Sequence, residues 1–263
     1  MQKNAKKHRI QVADFWDDVL NNWRADPQMR DLPEVLRRWR QSYQGEVDLT
    51  AYPEAFIGDL RGEIREPRLI VLGLNPGIAY PELQGSNGIW TQAARKLTYS
   101  RSSELRTPFN NENWTRSHSR DSRYFVLLDP FARRWLEDNS AGVADILNIE
   151  MFPFHSNRLT HKIRPPHDTI KSYVWAPLRE MEEDVVFAFG ADWVAVCENL
   201  PLIASYGPYQ WQRELKDPTY GNWQVNVYSL ETKRVVVSWQ KGFSGPPGDE
   251  RIPELRRVVD ECK

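Results

Sequence analysis

Cysteine is nearly absent: Cys197 and Cys262 are the only two in 263 residues. So few, so far apart, exclude a four-cysteine zinc or iron–sulfur site and a CxxC redox pair, and they fit a reducing compartment. No apolar run approaches the roughly 18 residues of a membrane span, and the basic opening MQKNAKKHRIQ is not followed by the apolar stretch of a signal peptide. The expectation is a cytoplasmic chain with no membrane partner. Charge of one sign is also lacking, since the net charge is −1. That excludes a global basic field, so any nucleic-acid binding needs a local patch. No repeat or low-complexity segment appears.

What is present fits one large α/β domain. Hydrophobic residues make up 40% and charged residues 27%, ordinary values for a globular chain, and the length is enough to bury a full core. The organising stretch is 67–80, PRLIVLGLNPGIAY. Leu69, Ile70, Val71 and Leu72 read as a buried strand, broken abruptly by Gly73, Asn75, Pro76 and Gly77. Ligands of an open α/β sheet collect beyond the carboxyl ends of its strands, which makes Asn75 the first candidate for chemistry. Asn-Pro-Gly is also sound turn chemistry by itself.

Before this strand, Val12, Phe15, Trp16, Val19, Leu20 and Trp23 recur at helical spacing, and a second helix is predicted over 33–43. Residues 1–50 are thus expected as a helical extension packed on the core, and 51–263 as the main domain. The stretch 52–60, YPEAFIGDL, reads as a loop lining the same crevice, because Pro53 and Gly58 resist regular structure. A helix is predicted over 88–97. The segment 100–143 reads as an insertion whose first part, with Trp114, Arg116, His118 and Arg120, suits either a nucleic-acid strand or a solvated surface.

A second strand, DILNIEMF over 145–152, carries Asn148 and Glu150, which point the same way because strand side chains alternate. Pro153, Phe154, His155 and Ser156 close it. A helix through Tyr173 to Met181, a third strand over 185–190 and a short helix over 193–200 follow. The last strand belongs to RVVVSWQKGFSGPPG over 234–248, whose polar loop carries Ser238, Lys241, Phe243 and Ser244, and a closing helix covers 252–259. The expected architecture is a mostly parallel central sheet flanked by helices.

Three of these loops, in order and spacing, resemble the uracil-DNA glycosylase superfamily, closest to its mismatch-specific uracil/thymine branch. GLNPG at 73–77 is similar to that branch's water-positioning loop. Asn148 stands where the family has its base-reading Asn, and VVVSWQKGFSG where it has its final strand and DNA-penetrating loop. The resemblance implies a three-layer sandwich and a monofunctional DNA glycosylase without metal or other cofactor. The glycosylase would act on uracil, mismatched thymine or a 5-substituted cytosine, in repair or in defence against foreign DNA. It also implies DNA as partner, with no obligate protein partner. Many members carry a His in the third loop that stabilises the departing base; Ser238 occupies about that place here. In the strict uracil branch a Tyr blocks the pyrimidine 5-position, where this chain has Gly77.

The residues suit that chemistry. Asn75 can position a water but cannot act as a strong base, and Asn148 offers the donor–acceptor pair of an amide to a pyrimidine edge. Tyr80 and Glu150 join Asn148 and Gly77 as expected base contacts. Phe243 is the candidate wedge for the gap left by a flipped base, and Lys241, Ser244, His155 and Ser156 are candidate DNA contacts. His155 and Ser156 serve equally as loop braces, and Glu150 as a salt-bridge partner. The alternatives are a hydrolase of free nucleosides or nucleotides, and a nucleic-acid-binding module without activity.

Overall fold

The computed structural model describes residues 6–104, 123–211, 223–240 and 244–262. Its core begins with the apolar run read from the sequence: β2 (Leu69–Gly73) is buried along its whole length. A parallel strand covered on both faces is apolar at every position rather than alternating, and β2 divides its side chains accordingly. Ile70 and Leu72 enter one buried cluster, Leu69 and Val71 the other.

The other strands are β1 (Phe56–Ile57), β3 (Ile146–Glu150), β4 (Val185–Phe189), β5 (Leu202–Trp211), β6 (Trp223–Leu230) and β7 (Lys233–Trp239). They form one mixed seven-stranded sheet in the order β1-β3-β2-β4-β7-β6-β5. The centre β3-β2-β4-β7 is parallel, while β1 joins β3, and β5 and β6 join β7, antiparallel. From β2 the chain goes to β3 on one side and then crosses to β4 on the other. The strand order therefore reverses at β2, the topological position at which α/β sheets open a ligand crevice.

Helices cover both faces. On one lie α1 (Lys7–Ala25), α2 (Glu34–Gln41) and a helix running from His167–Ile170 through a π turn, Lys171–Trp175, to Ala176–Arg179. On the other lie helices Arg123–Leu136 and Ile252–Glu261, whose Phe131 and Leu255 pack over Phe187 and Val236. Among the described residues no helix is long and apolar enough to cross a membrane.

Three readings of the sequence change. The stretch 52–60 is not loop throughout: Phe56 and Ile57 pair with Ile149 and Asn148 as an edge strand. Residues 123–136, placed in an insertion, form a helix burying Leu128, Phe131 and Ala132 against the sheet; residues 105–122, including Trp114, Arg116, His118 and Arg120, lie outside the described residues. The β5–β6 pair, which the sequence reading left unassigned, extends the sheet beyond β7.

The first helix is tied to the core by a buried charge. Arg9, 0% exposed, donates to both Glu66 oxygens at 2.9 and 2.8 Å and to the Leu60 carbonyl at 2.6 Å. A hydrogen bond to a charged group contributes roughly 1.5–3 kcal/mol, and Glu66, partly exposed and also paired with Lys6, limits the loss here to about one such bond. Arg9→Met is therefore expected to lower unfolding free energy by about 1.5–3 kcal/mol in urea titrations. A change below about 0.5 kcal/mol would show that the latch adds nothing.

Candidate active site

At the carboxyl end of β2 the ladder with β3 continues into the loops. Met151, Phe152 and Ser156 donate their backbone N–H groups to the carbonyls of Gly73, Leu74 and Gly77, at 3.0, 2.9 and 2.9 Å. The Asn75 loop is thereby held against the segment following β3. Asn75 is half-buried, and its Nδ2 reaches the Phe154 carbonyl at 3.5 Å. Gly77 has φ +81°, the left-handed region that favours glycine, and a Cβ there would meet nothing within 4 Å.

Asn148 and Glu150 share one face of β3. Asn148 Nδ2 donates to Glu150 Oε1 at 2.5 Å, and both residues are buried. In register, Glu150 stands opposite Gly73. A Cβ on Gly73 would overlap the Glu150 carboxyl, so the glycine gives that carboxyl its room. Along the same row the next positions are Phe189 and Ser238. Ser238 is thus on the same face but three strand spacings from Glu150, about 14 Å. Its Oγ accepts the Trp223 indole N–H at 2.8 Å.

A residue that the sequence reading passed over completes the cluster. Glu54, 3% exposed, accepts from Gln84 Nε2 at 2.7 Å, and Gln84 Oε1 accepts the Tyr80 backbone N–H at 2.8 Å. Glu54 therefore braces the Asn75 loop at its far end. The only sequence signal was an acid set in an otherwise apolar stretch, Pro53 to Ile57. His155 and Ser156, candidates for phosphate contact or for bracing the loop, are both buried here. The Ser156 hydroxyl donates to the Arg158 carbonyl at 3.1 Å, and His155 Nε2 lies 3.9 Å from Glu54 Oε2. Ser244 is exposed, while Lys241 and Phe243 lie outside the described residues.

Burial decides the protonation of this cluster. It pushes the Glu54 carboxyl up to about 8, opposed by the Gln84 hydrogen bond and assisted by Glu150. It pushes Glu150 up to about 8 as well, opposed by the Asn148 hydrogen bond. It holds His155 down to about 4, against the pull of neighbouring backbone groups and Asp48. Between those values all three are neutral, so the approach of His155 to Glu54 is not an ion pair. Among the described residues no group of three or more His, Cys, Asp and Glu side chains could hold a metal ion.

No family model, no curated protein and no solved structure matches this chain.

The buried carboxyls make stability depend on pH. A carboxyl whose pKa rises from 4.5 to about 8 on folding binds its proton more tightly in the folded state. Its contribution is complete below the unfolded value and is lost as pH rises through the folded one. His155, lowered from 6.5 to about 4, acts oppositely and weakens the fold as pH falls below 6.5. Unfolding free energy is therefore expected to drop between pH 6.5 and about 8, by up to about 1.4 kcal/mol per pH unit for each carboxyl. Glu54→Gln should flatten that slope in urea denaturation; a wild-type profile already flat would mean that the carboxyls ionise freely.

Proposed function

We propose that this chain is a monofunctional DNA glycosylase that hydrolyses the bond between a flipped-out pyrimidine and deoxyribose and leaves an abasic site. The observation carrying the reading is the convergence of the Asn75 loop and the Asn148–Glu150 pair. They meet at the carboxyl ends of adjacent parallel strands, beside the reversal of strand order. On this reading the α/β sheet is the three-layer sandwich of the uracil-DNA glycosylase superfamily.

Cleavage of an N-glycosidic bond passes through an oxocarbenium-like sugar, so a water must be held on one face while charge on the departing base is stabilised. Asn75 holds the water. Asn148 reads the base edge, and because its Nδ2 is committed to Glu150, the amide cannot rotate freely between its two orientations. Gly77 leaves open space rather than a side chain, which supports a pyrimidine carrying a substituent at its 5-position. Apolar pockets separate small groups by only about 1–3 kcal/mol, so without a steric block the range of substrates is broad. DNA binding is expected to be local and salt-sensitive, with Lys241, Arg116 and Arg120 as contributors and Phe243 as the wedge.

The test is a duplex with one altered base, incubated with the protein and then treated with alkali. Strand breaks are expected, and Asn75→Ala should lower their rate by at least about 100-fold while DNA affinity is kept. Binding without breaks would favour a non-catalytic module. Release confined to free nucleotides would favour the nucleotide hydrolase.

Substrate range gives a separate outcome. Base release is expected from thymine mismatches or 5-hydroxymethylcytosine, with or without glucose, as well as from uracil. Uracil as the sole substrate would refute the claim about the 5-position.

A further inference from the structure

Resting on the glycosylase reading, the site has no evident donor for the departing base. Asn75 is an amide two residues beyond β2, and Ser238 is too distant, about 14 Å along its row. Glu150 is different. Its Oε1 accepts from Asn148, its Oε2 is buried with no hydrogen-bond partner, and its carboxyl lies over Gly73, two residues before Asn75. It therefore sits between the side chain that reads the base and the loop that holds the water. We propose that Glu150 is the general acid of base release, donating the proton on Oε2 to a carbonyl oxygen of the departing pyrimidine while Asn148 holds the base edge.

The step balances without a co-reactant. The bond from C1′ to the base nitrogen breaks and its electron pair goes to the base. The Glu150 proton moves to the base oxygen, leaving a carboxylate. The water at Asn75 adds to C1′ as hydroxide equivalent, and its released proton returns Glu150 to the acid form. Overall one water is consumed, with hydroxyl on the sugar and hydrogen on the base.

The surroundings keep that proton available. Burial is the chief influence on Glu150, Asn148 opposes it, and no described cation offsets it. Glu150 in turn holds the Glu54 carboxyl up, and Glu54 itself faces His155 and Gln84. Two carboxyls in one buried site resist ionising together. An acid that titrates near the working pH is both protonated and able to give its proton up.

Glu150→Gln tests the role because the amide fills the same space but delivers no proton. Single-turnover base release by the wild type is expected to fall as pH rises through about 8, and the variant is expected to be slower by about 10²–10⁴-fold without that alkaline fall. A substrate whose base leaves readily as an anion, such as a 5-fluorinated pyrimidine, should restore much of the variant's rate. A merely structural role would not produce that selective rescue. A variant matching the wild type in rate and pH profile would overturn the proposal, as would equal losses on easy and difficult leaving bases. If the wild type releases no base from any of these duplexes, the glycosylase reading falls and the acid role with it. Wild-type release with an unaffected variant removes only the acid role.

Discussion

Two carboxyls buried at one end of a sheet, with no described cation to pair them, must keep their protons or unfold their surroundings. Ionising either one means placing charge in a low-dielectric interior beside another acid. Glu54 and Glu150 are in that position, and the local architecture follows from it. Gly73 has no side chain because the Glu150 carboxyl occupies the space where one would be. Gln84 turns its amide so that nitrogen meets Glu54 and oxygen meets the Tyr80 backbone. The loop carrying Asn75 is thus fixed at its start by the β2–β3 ladder and at its end by Glu54.

The wider fold serves the same end by keeping water out. Tyr99 donates its hydroxyl proton to the Phe56 carbonyl and accepts from the Ala55 and Phe56 N–H groups, closing the edge strand beside Glu54. Tyr52 packs edge-on between Trp23 of the first helix and Trp90. The N-terminal helices therefore form part of the wall that desolvates the site. Loosening α1 should raise the dielectric around Glu54 as well as lower stability, which couples the first helix to the protonation of the cluster.

The sequence made some of this legible and hid the rest for physical reasons. β2 was plain because a strand buried on both faces has an unbroken apolar run. The shared face of Asn148 and Glu150 followed from the two-residue period of a strand. Glu54 was hidden because its burial depends on Gln84, thirty positions away, and on antiparallel pairing of a two-residue edge strand. Helix Arg123–Leu136 was obscured by Pro130 in its interior, since proline ordinarily ends a helix. The β5 strand was masked by Gly207 and Pro208, residues that punctuate sequence patterns. Its register with β6 shifts around them, between Tyr206 and Tyr209.

His155 shows why charge, and not only proximity, governs this site. Its Nε2 lies 3.9 Å from Glu54 Oε2, a separation at which a charged pair would attract. Yet burial leaves His155 neutral above about 4 and Glu54 neutral below about 8. Across that interval the Asn75 loop rests on uncharged groups, and its position does not depend on an ion pair that salt or modest pH change could weaken. Only beyond the interval does a charge appear, as imidazolium below it or carboxylate above it, each in an interior that opposes it. The support is therefore uncharged between about 4 and about 8, and at the upper limit Glu54 and Glu150 ionise together, so the proposed acid role is separated from a displaced loop by the leaving-base rescue of Glu150→Gln and not by the alkaline fall alone.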